Sequence, residues 1–554
     1  MRPNDAKSQF NLGNALQAAR KLDEAVACYR RAIELAPALK EARNNLGNTL
    51  KDLRRFDEAI DCLRRTLELN PNYAEAHNNL GAVFQLQTKL DAAAACYRQA
   101  LALKPEYAEA WNNLGAALKD LGQVVEAIEC FRRALALRAD YFAAHRNLLY
   151  TLWFCPGVDQ AAIYEEHCRW NERWAEPLGK DVAPHANERS LNRRLRIGYV
   201  SPDFREHCQA FFTVPLFSAH DREQFEIVCY ADVVNPDGLT ERLQSCVDQW
   251  RNIVGLNDEQ IAQLVRQDEI DILIDLTMHM DRSHPLAFAR KPAPVQVCWL
   301  AYPGTTGLKA IDYRLTDSYL DPPGMFDRYY SEQSIRLRDC FWCYDPLADG
   351  PAVNSLPANA NGFITFGCLN NFCKLNEGVL ELWARVLKAV EQSRLLLLAP
   401  EGSAREHVLR VLDQAGISVD RIAFVARQPR ASYLELYPKI DVGLDTFPYN
   451  GHTTSLDSFW MGVPVVTLVG QTVVGRAGLC QLQNLGLPEL IAQTPEQFVE
   501  IAVGLATDLS RLSRLRADLR ERMTQSPLMD APRFARSVEA AYRSMWKAWC
   551  VRRV

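Results

Sequence analysis

A repeat of 34 residues in the first part of the chain constrains its fold more than any other feature. Glycines recur at this step, each preceded by a leucine and followed twelve residues later by an alanine, at Gly13, Gly47, Gly81 and Gly115. Self-similarity at this period indicates stacked helical hairpins, in which small residues stand where paired helices approach closely. The sequence therefore predicts four helical hairpins and a partial fifth, with the pattern dissolving around residues 153–157.

An asparagine recurs at one position in the first helix of each unit, although asparagine is a poor helix former. We call this set the asparagine ladder: Asn11, Asn45, Asn79, Asn113 and Asn147. In arrays of this kind the first helices line the concave surface, where amides can donate to and accept from an extended peptide backbone. The alternative is an inherited polar position that faces solvent. We expect protein or peptide acceptors to bind along the ladder.

Composition limits the remaining function classes. A net charge of −5 provides no basic surface for nucleic acid. The first eleven residues lack a signal pattern, and no apolar run approaches the roughly 18 residues of a membrane span. The sequence therefore predicts a cytoplasmic protein with neither nucleic acid nor a membrane as partner. Its 16 cysteines are expected to be reduced and mostly buried.

Beyond the repeats, short β-rich runs alternate with longer helical stretches, which is typical of parallel sheets with crossover helices. An irregular stretch at 342–361 divides these strands into two sets. We expect two Rossmann-like domains that face each other across a cleft, with ligands at the carboxyl ends of the strands. The predicted boundaries are 1–155 for the repeats, 156–192 for a helical linker, 193–345 for the first Rossmann-like domain, and 346–554 for the second, with a C-terminal helix.

The strongest motif lies between a predicted strand ending at Asp445 and a helix beginning near Ser455. A glycine that permits close backbone approach, two hydroxyls and the positive end of a helix dipole together favour an anion. A carboxylate in the first helical turn is suited to ribose hydroxyls. These residues are Gly451, His452, Thr453, Thr454 and Asp457. An ordinary capped helix explains the threonines but not the adjacent histidine.

Further candidates follow other predicted strands. Lys374 follows one of them and can reach a diphosphate, although a surface lysine opening a helix is the alternative. His207 follows the opening strand, where a histidine can act as a general base. His279 and the turn at Pro303, Gly304 and Thr305 also follow strands, and a structural role is the alternative for each histidine.

Motifs for other chemistries are missing from the sequence. It contains neither an Asp-x-Asp metal-binding motif nor a Gly-x-Ser-x-Gly nucleophile elbow. Cys340 and Cys343 form a single Cys-x-x-Cys motif, without the second pair of ligands that a zinc site needs. We therefore expect chemistry that needs no divalent cation and no cofactor.

Together these motifs resemble the O-linked N-acetylglucosamine transferases over nearly the whole chain. The resemblance rests on the asparagine-bearing repeats, Ser-Pro-Asp-Phe-x-x-His at 201–207, Tyr-Pro-Gly-Thr-Thr-Gly at 302–307, Lys374, and Asn-Gly-His-Thr-Thr-x-x-Asp at 450–457. It implies a tetratricopeptide-repeat superhelix followed by a GT-B fold. It also implies an inverting, metal-independent transfer of N-acetylglucosamine from UDP-GlcNAc to serine or threonine hydroxyls of proteins.

The resemblance assigns a role to each matching residue. His207 matches the family's proposed proton acceptor, although a donor phosphate oxygen is an alternative that would make it a positioning residue. Lys374 matches the lysine that contacts the donor diphosphate. The segment 452–454 matches the phosphate-binding loop, and Asp457 matches the ribose-contacting aspartate.

The chain departs from the family pattern around the donor base. Asn371 stands where the animal members have glutamine, and Gln428, Pro429 and Arg430 replace the uracil-contacting stretch. Tyr433 and Leu436 replace a histidine and an arginine near the donor. Two other functions therefore stay open: a protein O-fucosyltransferase that uses GDP-fucose, like the related SPINDLY enzymes, and a non-catalytic repeat adaptor with a sugar-nucleotide-sensing domain.

Overall fold

The computed structural model describes residues 5–348 and 350–552. The chain divides into two compact units, one formed by Met1–Thr151 with Pro400–His407 and the other by Leu152–Ala399 with Val408–Val554. Each unit is organised around a different secondary structure, helices in the first and two parallel sheets in the second.

The first unit contains antiparallel helical hairpins that stack in chain order. First and second helices alternate regularly, as the 34-residue period predicts, and the partial fifth unit contributes the last helix. The helices are α1 (Ala6–Ala18), α2 (Leu22–Leu35), α3 (Lys40–Asp52), α4 (Phe56–Leu69), α5 (Ala74–Leu86), α6 (Leu90–Leu103), α7 (Ala108–Asp120), α8 (Val124–Leu137) and α9 (Phe142–Leu152).

The repeated glycines allow the two helices of each hairpin to touch. A Cβ atom built on Gly115 would lie 2.7 Å from Cε1 of Phe131, a fully buried ring of the second helix. Gly13, Gly47 and Gly81 meet Tyr29, Leu63 and Tyr97 in the same way, at 2.6 to 2.7 Å. The 34-residue period of the glycines therefore has a steric cause: each hairpin needs a residue without a side chain where its two helices touch.

The turn inside each hairpin has a second periodic feature that the sequence pattern did not reveal. Arg20, Arg54 and Thr88 adopt positive φ angles of 60°, 60° and 59°, and Gly122 takes φ 80° at the fourth equivalent position. Only the last of these residues is a glycine, so a search for turn glycines misses the other three.

The first sheet of the second unit has seven parallel strands in the order β3-β2-β1-β4-β5-β6-β7. Its strands are β1 (Leu195–Ser201), β2 (Phe225–Ala231), β3 (Gln249–Asn252), β4 (Ile272–Asp275), β5 (Val295–Cys298), β6 (Tyr313–Asp317) and β7 (Gln333–Leu337). The register pairs Ile197 with Ile227 on one side and with Ile272 on the other. Its first six strands have the Rossmann order.

The second sheet has six parallel strands in the order β10-β9-β8-β11-β12-β13. These strands are β8 (Thr365–Cys368), β9 (Arg394–Leu398), β10 (Ile422–Val425), β11 (Val442–Leu444), β12 (Val465–Leu468) and β13 (Ile491–Ala492). The Rossmann order therefore occurs twice, which confirms the predicted GT-B architecture of two Rossmann-like domains.

Helices connect and cover both sheets. They are α10 (Gln160–Trp170), α11 (Ala210–Ala219), α12 (Gly238–Ser245), α13 (Asp258–Gln267), α14 (Pro285–Ala289), α15 (Pro357–Asn361), α16 (Glu377–Ala389), α17 (Ser403–Gln414), α18 (Arg430–Leu434), α19 (Thr453–Trp460), α20 (Ala477–Asn484), α21 (Pro495–Thr507), α22 (Leu509–Gln525) and α23 (Ala531–Val551). A π-helical turn at Asn171–Ala175 and short 3-10 turns complete the connections. Within the described ranges, the longest and most apolar helices still fall short of what a membrane crossing requires.

The C-terminal helix crosses back to the first Rossmann-like domain, although the sequence assigned it to residues 346–554 with the second. The hydroxyls of Tyr542 and Tyr199 lie 3.0 Å apart, and Glu539 Oε1 lies 2.9 Å from Nδ1 of His220. Tyr199 lies in β1 and His220 caps the end of α11, both in the first domain. Helix α23 therefore connects the two domains.

We expect Gly115→Ala to loosen the fourth hairpin, because its new methyl group would overlap the buried ring of Phe131. Overpacking of this kind typically costs about 1–3 kcal/mol, so amide hydrogen exchange in α7 and α8 should become at least several-fold faster.

The matched control is Gly504→Ala, since Gly504 lies within α21 and an added Cβ would meet nothing within 4 Å. Alanine should stabilise that helix by about 0.5–1 kcal/mol. Unchanged exchange in α7 and α8 of Gly115→Ala would show that close helix approach does not explain the repeated glycine.

Candidate functional site

The predicted donor-site motifs follow two strands that are neighbours in the second sheet. Asn370–Lys374 follows β8, and the loop 445–452 follows β11, so both segments leave the sheet at the point where the strand order reverses. Ligands of open α/β sheets bind at such a switch point, at the carboxyl ends of the strands. In the first sheet, His207 follows β1 and His279 follows β4, which flank the equivalent point.

Lys374 is the cation of this site. Its Nζ donates to the carbonyl oxygen of Asn450 at 2.6 Å and lies 4.2 Å from the centre of the Tyr449 ring. Burial lowers the pKa of Lys374 to about 8, against the opposing effect of the Asp445 carboxylate. An ammonium held in such surroundings gains from a further anion, because neither a carbonyl nor a ring face neutralises its charge.

Asp445 holds the loop after β11 in place. Its Oδ1 accepts from the backbone N–H groups of Thr446 at 2.8 Å and Gly451 at 2.6 Å, and its Oδ2 accepts from the Thr467 hydroxyl at 2.8 Å. Burial raises the pKa of Asp445 to about 6, although these donors favour the charged form. The sequence showed Asp445 only as the end of a strand and did not identify this anchoring role.

Helix α19 begins directly after this loop. Its N-cap residue, His452, makes no side-chain capping bond, and its ring packs 5.3 Å from Trp342 and 4.8 Å from Tyr449. Burial, together with the nearby Lys374 charge, lowers the pKa of His452 well below its usual value. His452 is therefore a neutral ring at neutral pH, and the positive charge beside the helix N-terminus comes from Lys374.

Tight packing shapes the loop around Gly451. A Cβ atom there would lie 2.2 Å from Ser455 Oγ and 3.2 Å from Asn370 Oδ1. The Thr454 hydroxyl donates to Asn370 Oδ1, and the Thr454 carbonyl accepts from the Tyr437 hydroxyl at 3.0 Å. A larger residue at position 451 would therefore have to displace the Ser455 hydroxyl. Thr454, in the first turn of α19, is held by Asn370 on one side and Tyr437 on the other.

Asp457 is paired within the protein rather than open to solvent. Arg430 donates to both of its carboxylate oxygens at 2.6 Å, and the Tyr344 hydroxyl donates to Oδ1 at the same distance. Burial disfavours the charge of Arg430, yet Asp457 raises the pKa of the guanidinium above its usual value. Asp457 is only 2% exposed, so the sequence-based ribose contact requires Arg430 to share or release this carboxylate.

The sequence placed Arg430 beside the donor base and gave no signal for Tyr344. Tyr344 lies in the stretch between the two sheets, where the irregular sequence pattern suggested only a linker. Its phenol contacts both members of the ion pair, with Arg430 donating to it at 3.1 Å. A linker residue thus completes the Asp457 cluster, which local sequence pattern cannot show.

The remaining donor-site candidates lie around the same region. Asn371, Gln428 and Pro429 are exposed, which leaves them available to a ligand. Tyr433 is half-buried, and its hydroxyl lies 2.5 Å from that of Tyr437. Through Tyr437, Tyr433 is linked to the carbonyl of Thr454, so this predicted donor residue also supports the loop.

His207 lies in the turn between β1 and α11. Its Nδ1 is 3.7 Å from Asp203 Oδ2, and its Nε2 is 3.8 Å from the sulfur of Cys208. Burial disfavours the charged imidazole, but Cys208 and Asp203 outweigh it and raise the pKa of His207. The histidine is half-buried, as a residue at the edge of a cleft would be.

The other cleft candidates of the first domain are packed inside it. His279 is 2% exposed, its Nε2 lies 2.6 Å from the Thr306 carbonyl, and Trp170 packs 4.5 Å from its ring. We predicted that His279 lies at the cleft. It instead lies inside the first domain, packed beneath Trp170 of the linker helix α10.

The turn at 303–305 is buried as well. Arg314 donates to the carbonyls of Pro303 at 3.0 Å and Gly304 at 3.1 Å, and the Thr305 hydroxyl donates to Glu332 at 2.7 Å. A Cβ on Gly304 would lie 2.4 Å from Trp153. These contacts make the turn part of the core rather than a ligand-binding surface.

The asparagine ladder has a packing role that the sequence did not reveal. Asn79 donates its amide to Asn44 Oδ1 at 2.9 Å, and Asn113 donates to Asn78 Oδ1 at 3.0 Å. Asn147 makes the equivalent bond to Asn112 Oδ1 at 2.9 Å, and Asn45 donates to Asn14 Oδ1, at a different position of the preceding unit, at 2.9 Å. Asn11 of the first unit is exposed. The ladder therefore joins successive repeats, and its half-buried members keep part of each amide at the surface.

Within residues 5–348 and 350–552, no group of three or more histidine, cysteine, aspartate or glutamate side chains could hold a metal ion.

Comparisons with known proteins agree with this architecture. The model of Glycosyl transferase family 41 matches residues 135–348 and 351–538. Tetratricopeptide repeat models match residues 6–39, 39–106 and 108–141. The match to Glycosyl transferase family 41 covers most of the chain, including both sheets.

Among solved structures, a mutant of the Thermobaculum terrenum O-GlcNAc transferase is 38% identical, with a TM-score of 0.85, covering 92% of this chain and 98% of that one. SPINDLY of Petunia hybrida, named a "Probable UDP-N-acetylglucosamine--peptide N-acetylglucosaminyltransferase", is 39% identical over 70% of this chain and 42% of its own length. The UDP-N-acetylglucosamine–peptide N-acetylglucosaminyltransferase of Caenorhabditis elegans is 27% identical over 73% of this chain and 45% of its own.

This chain thus spans less than half the length of the curated relatives that it matches. The match to the family 41 model nevertheless includes both sheets and the loops described above. The chain belongs to glycosyltransferase family 41.

Proposed function

We propose that this protein transfers N-acetylglucosamine from UDP-GlcNAc to serine or threonine hydroxyls of proteins, with inversion at the anomeric carbon. The observation that supports this most strongly is the position of Lys374 and the start of α19 together at the switch point of the second sheet. A lysine and a helix N-terminus are suited to the diphosphate of a nucleotide sugar. Relatives named as UDP-N-acetylglucosamine–peptide transferases supply the sugar and the acceptor class.

The leaving group requires the greatest electrostatic help. As the acceptor oxygen bonds to the anomeric carbon, the bond from that carbon to the phosphate oxygen breaks, and UDP departs with the electron pair. Lys374 and the backbone N–H groups of Thr453 and Thr454 stabilise the charge that develops on the diphosphate. These groups take the part that a divalent cation takes elsewhere, so we propose that the reaction needs no metal.

The acceptor hydroxyl must also lose its proton. His207 is the candidate acceptor of that proton. Its Nδ1 accepts the backbone N–H of Gln209 at 3.4 Å and lies 3.7 Å from Asp203 Oδ2, and these two contacts orient the ring. Only the neutral imidazole can accept a proton, and the raised pKa of His207 shifts that form to higher pH. If a donor phosphate oxygen takes the proton instead, His207 is a positioning residue.

The exposed residues Gln428 and Pro429 lie beside Arg430 and are placed to contact the nucleoside. Arg430 already binds Asp457, so a ribose that hydrogen-bonds to Asp457 must compete with a bidentate guanidinium. We propose that this pair adjusts when the donor binds. Whether the site takes uracil or guanine is decided by the donor arms of the experiment below.

The asparagine ladder supplies the acceptor side of the proposal. Each inner amide uses one N–H for its neighbour, which leaves a second N–H and an oxygen lone pair for a peptide backbone. If acceptors bind there, Asn79→Ala should raise KM for a protein acceptor and leave KM for the donor unchanged.

The test is a transfer assay with UDP-GlcNAc and a library of serine- and threonine-containing peptides, read out as peptide mass and released UDP. The wild type should add one N-acetylhexosamine, and Lys374→Met should lower kcat by about 10²–10³, the usual effect of removing one transition-state donor. EDTA should leave the rate unchanged. GDP-fucose in a parallel arm should give no product.

The contrary outcomes are equally specific. Transfer from GDP-fucose alone would identify a fucosyltransferase, and binding of UDP-GlcNAc without turnover on any acceptor would identify a sensor. A rate that EDTA abolishes and Mg²⁺ restores would show that a metal is required. Full activity in His207→Ala together with loss in Lys374→Met would remove His207 as the proton acceptor.

Binding of UDP should weaken as the pH rises from 7 to 9. The pKa of Lys374 lies at about 8, so the free protein carries this charge at pH 7 and has largely lost it at pH 9. Calorimetric titration should therefore show a dissociation constant that increases by up to about tenfold.

Lys374→Arg is the control, because a guanidinium remains charged over this range. Its UDP affinity should not change between the two pH values. An equally large pH effect in that variant would mean that another group controls binding.

A further inference from the structure

Cys208 differs from the other cysteines of the described chain. Of the 16 cysteines, all of which lie within residues 5–348 and 350–552, Cys208 is exposed, while the others are buried or half-buried. It lies in the turn between β1 and α11, immediately after His207, and the carbonyl of His207 accepts the N–H of Ala210 at 3.0 Å, which opens α11. Cys208 thus directly precedes Gln209, the N-cap residue of a ten-residue helix.

The neighbours of Cys208 favour its thiolate. Its sulfur is 3.8 Å from Nε2 and 3.9 Å from Nδ1 of His207, and Asp203 Oδ2 lies 3.7 Å from the same Nδ1. An imidazolium and a helix N-terminus both stabilise a thiolate. Although burial of the site opposes it, the interaction with His207 lowers the pKa of Cys208 below its usual value.

The helix that follows Cys208 packs against the second domain. The ring of Phe211, three residues after Cys208, lies 4.3 Å from the guanidinium of Arg430, and Arg430 donates to both carboxylate oxygens of Asp457 in α19. A modified Cys208 would therefore stand among the donor and proton-transfer groups rather than on a remote surface.

We propose that Cys208 is a modification site for small peroxides, and that its oxidation reversibly switches off the transfer reaction. The thiolate attacks one oxygen of hydrogen peroxide, an S–O bond forms, and the O–O bond breaks. Sulfur is oxidised by two electrons to a sulfenic acid, and the hydroxide that leaves takes a proton from the His207 imidazolium to become water. The switching of transfer rests on the proposed function, but the modification itself does not.

Oxidation changes the site by adding an oxygen to a side chain beside His207, the proposed acceptor of the hydroxyl proton. The added oxygen would stand where the acceptor hydroxyl must approach that ring. An added thiol reverses the change: one thiol condenses with the sulfenic acid, releasing water and forming a mixed disulfide, and a second thiol displaces the Cys208 thiolate. Dithiothreitol should therefore restore the transfer activity of the peroxide-treated protein.

The test treats the full chain with hydrogen peroxide and dimedone, which traps sulfenic acids, and measures each cysteine by mass spectrometry alongside transfer activity. Cys208 should be labelled at least about tenfold faster than Cys246, a half-buried thiol whose sulfur lies 3.3 Å from Ser218 Oγ. Activity should fall in step with Cys208 labelling and return with dithiothreitol when dimedone is omitted. UDP should slow the labelling.

Three variants distinguish oxidation of Cys208 from oxidative damage elsewhere in the protein. The ratio of treated to untreated activity should stay near one in Cys208→Ser and fall as in the wild type in Cys246→Ser. His207→Ala should slow the labelling of Cys208 by about tenfold, since the thiolate loses its cation.

Earlier labelling of any other cysteine, or loss of activity in Cys208→Ser equal to that of the wild type, would overturn the proposal. If no transfer is found at all, the proposed function fails, while the labelling rates of the wild type and His207→Ala still decide whether Cys208 is the reactive thiol.

Discussion

The site depends on an ammonium group whose charge the protein does not neutralise. Lys374 donates to the Asn450 carbonyl and faces the Tyr449 ring, while the Asp445 carboxylate that attracts it is committed to two N–H groups and one hydroxyl. Holding a cation away from water is costly unless an anion compensates for it. That cost, expressed as a lowered pKa, is the physical basis of the diphosphate contact that we propose at this position.

Topology explains why the necessary groups meet there. Loops after β8 and β11 leave adjacent strands in opposite directions around the sheet, so Lys374 and the start of α19 come together although they are about eighty residues apart in the chain. Within the same unit, the C-terminal helix packs against β1 and α11, which carry the first-domain turn with His207 between them. The two halves of the chemistry are therefore held by elements that are distant in sequence.

Much of this arrangement was predictable from local pattern. The repeated glycines predicted the hairpins because each one meets a buried side chain, and apolar runs predicted most strands because parallel strands are buried on both faces. The strands β3, β6, β7 and β13 were not predicted. The last has only two residues, and polar or charged residues interrupt the other three, as Arg314 does in β6, where only its tertiary partners make its burial tolerable.

The roles of individual site residues were less predictable than their identities. Asp457 looked like a free ribose ligand, but Arg430 and Tyr344 from other segments occupy it. His279 followed a strand as expected, yet Trp170 of the linker covers it. The ladder asparagines looked independent of packing, although they bond across successive repeats. In each case the partner that determines the residue's role is distant in sequence, and a local motif therefore cannot predict it.

The most direct test of the central claim is a crystal structure of the protein with UDP. The account predicts diphosphate oxygens within about 3 Å of Lys374 Nζ and of the backbone nitrogen of Thr453 or Thr454. A complex in which the bound nucleotide places its diphosphate away from both Lys374 and the start of α19 would contradict it.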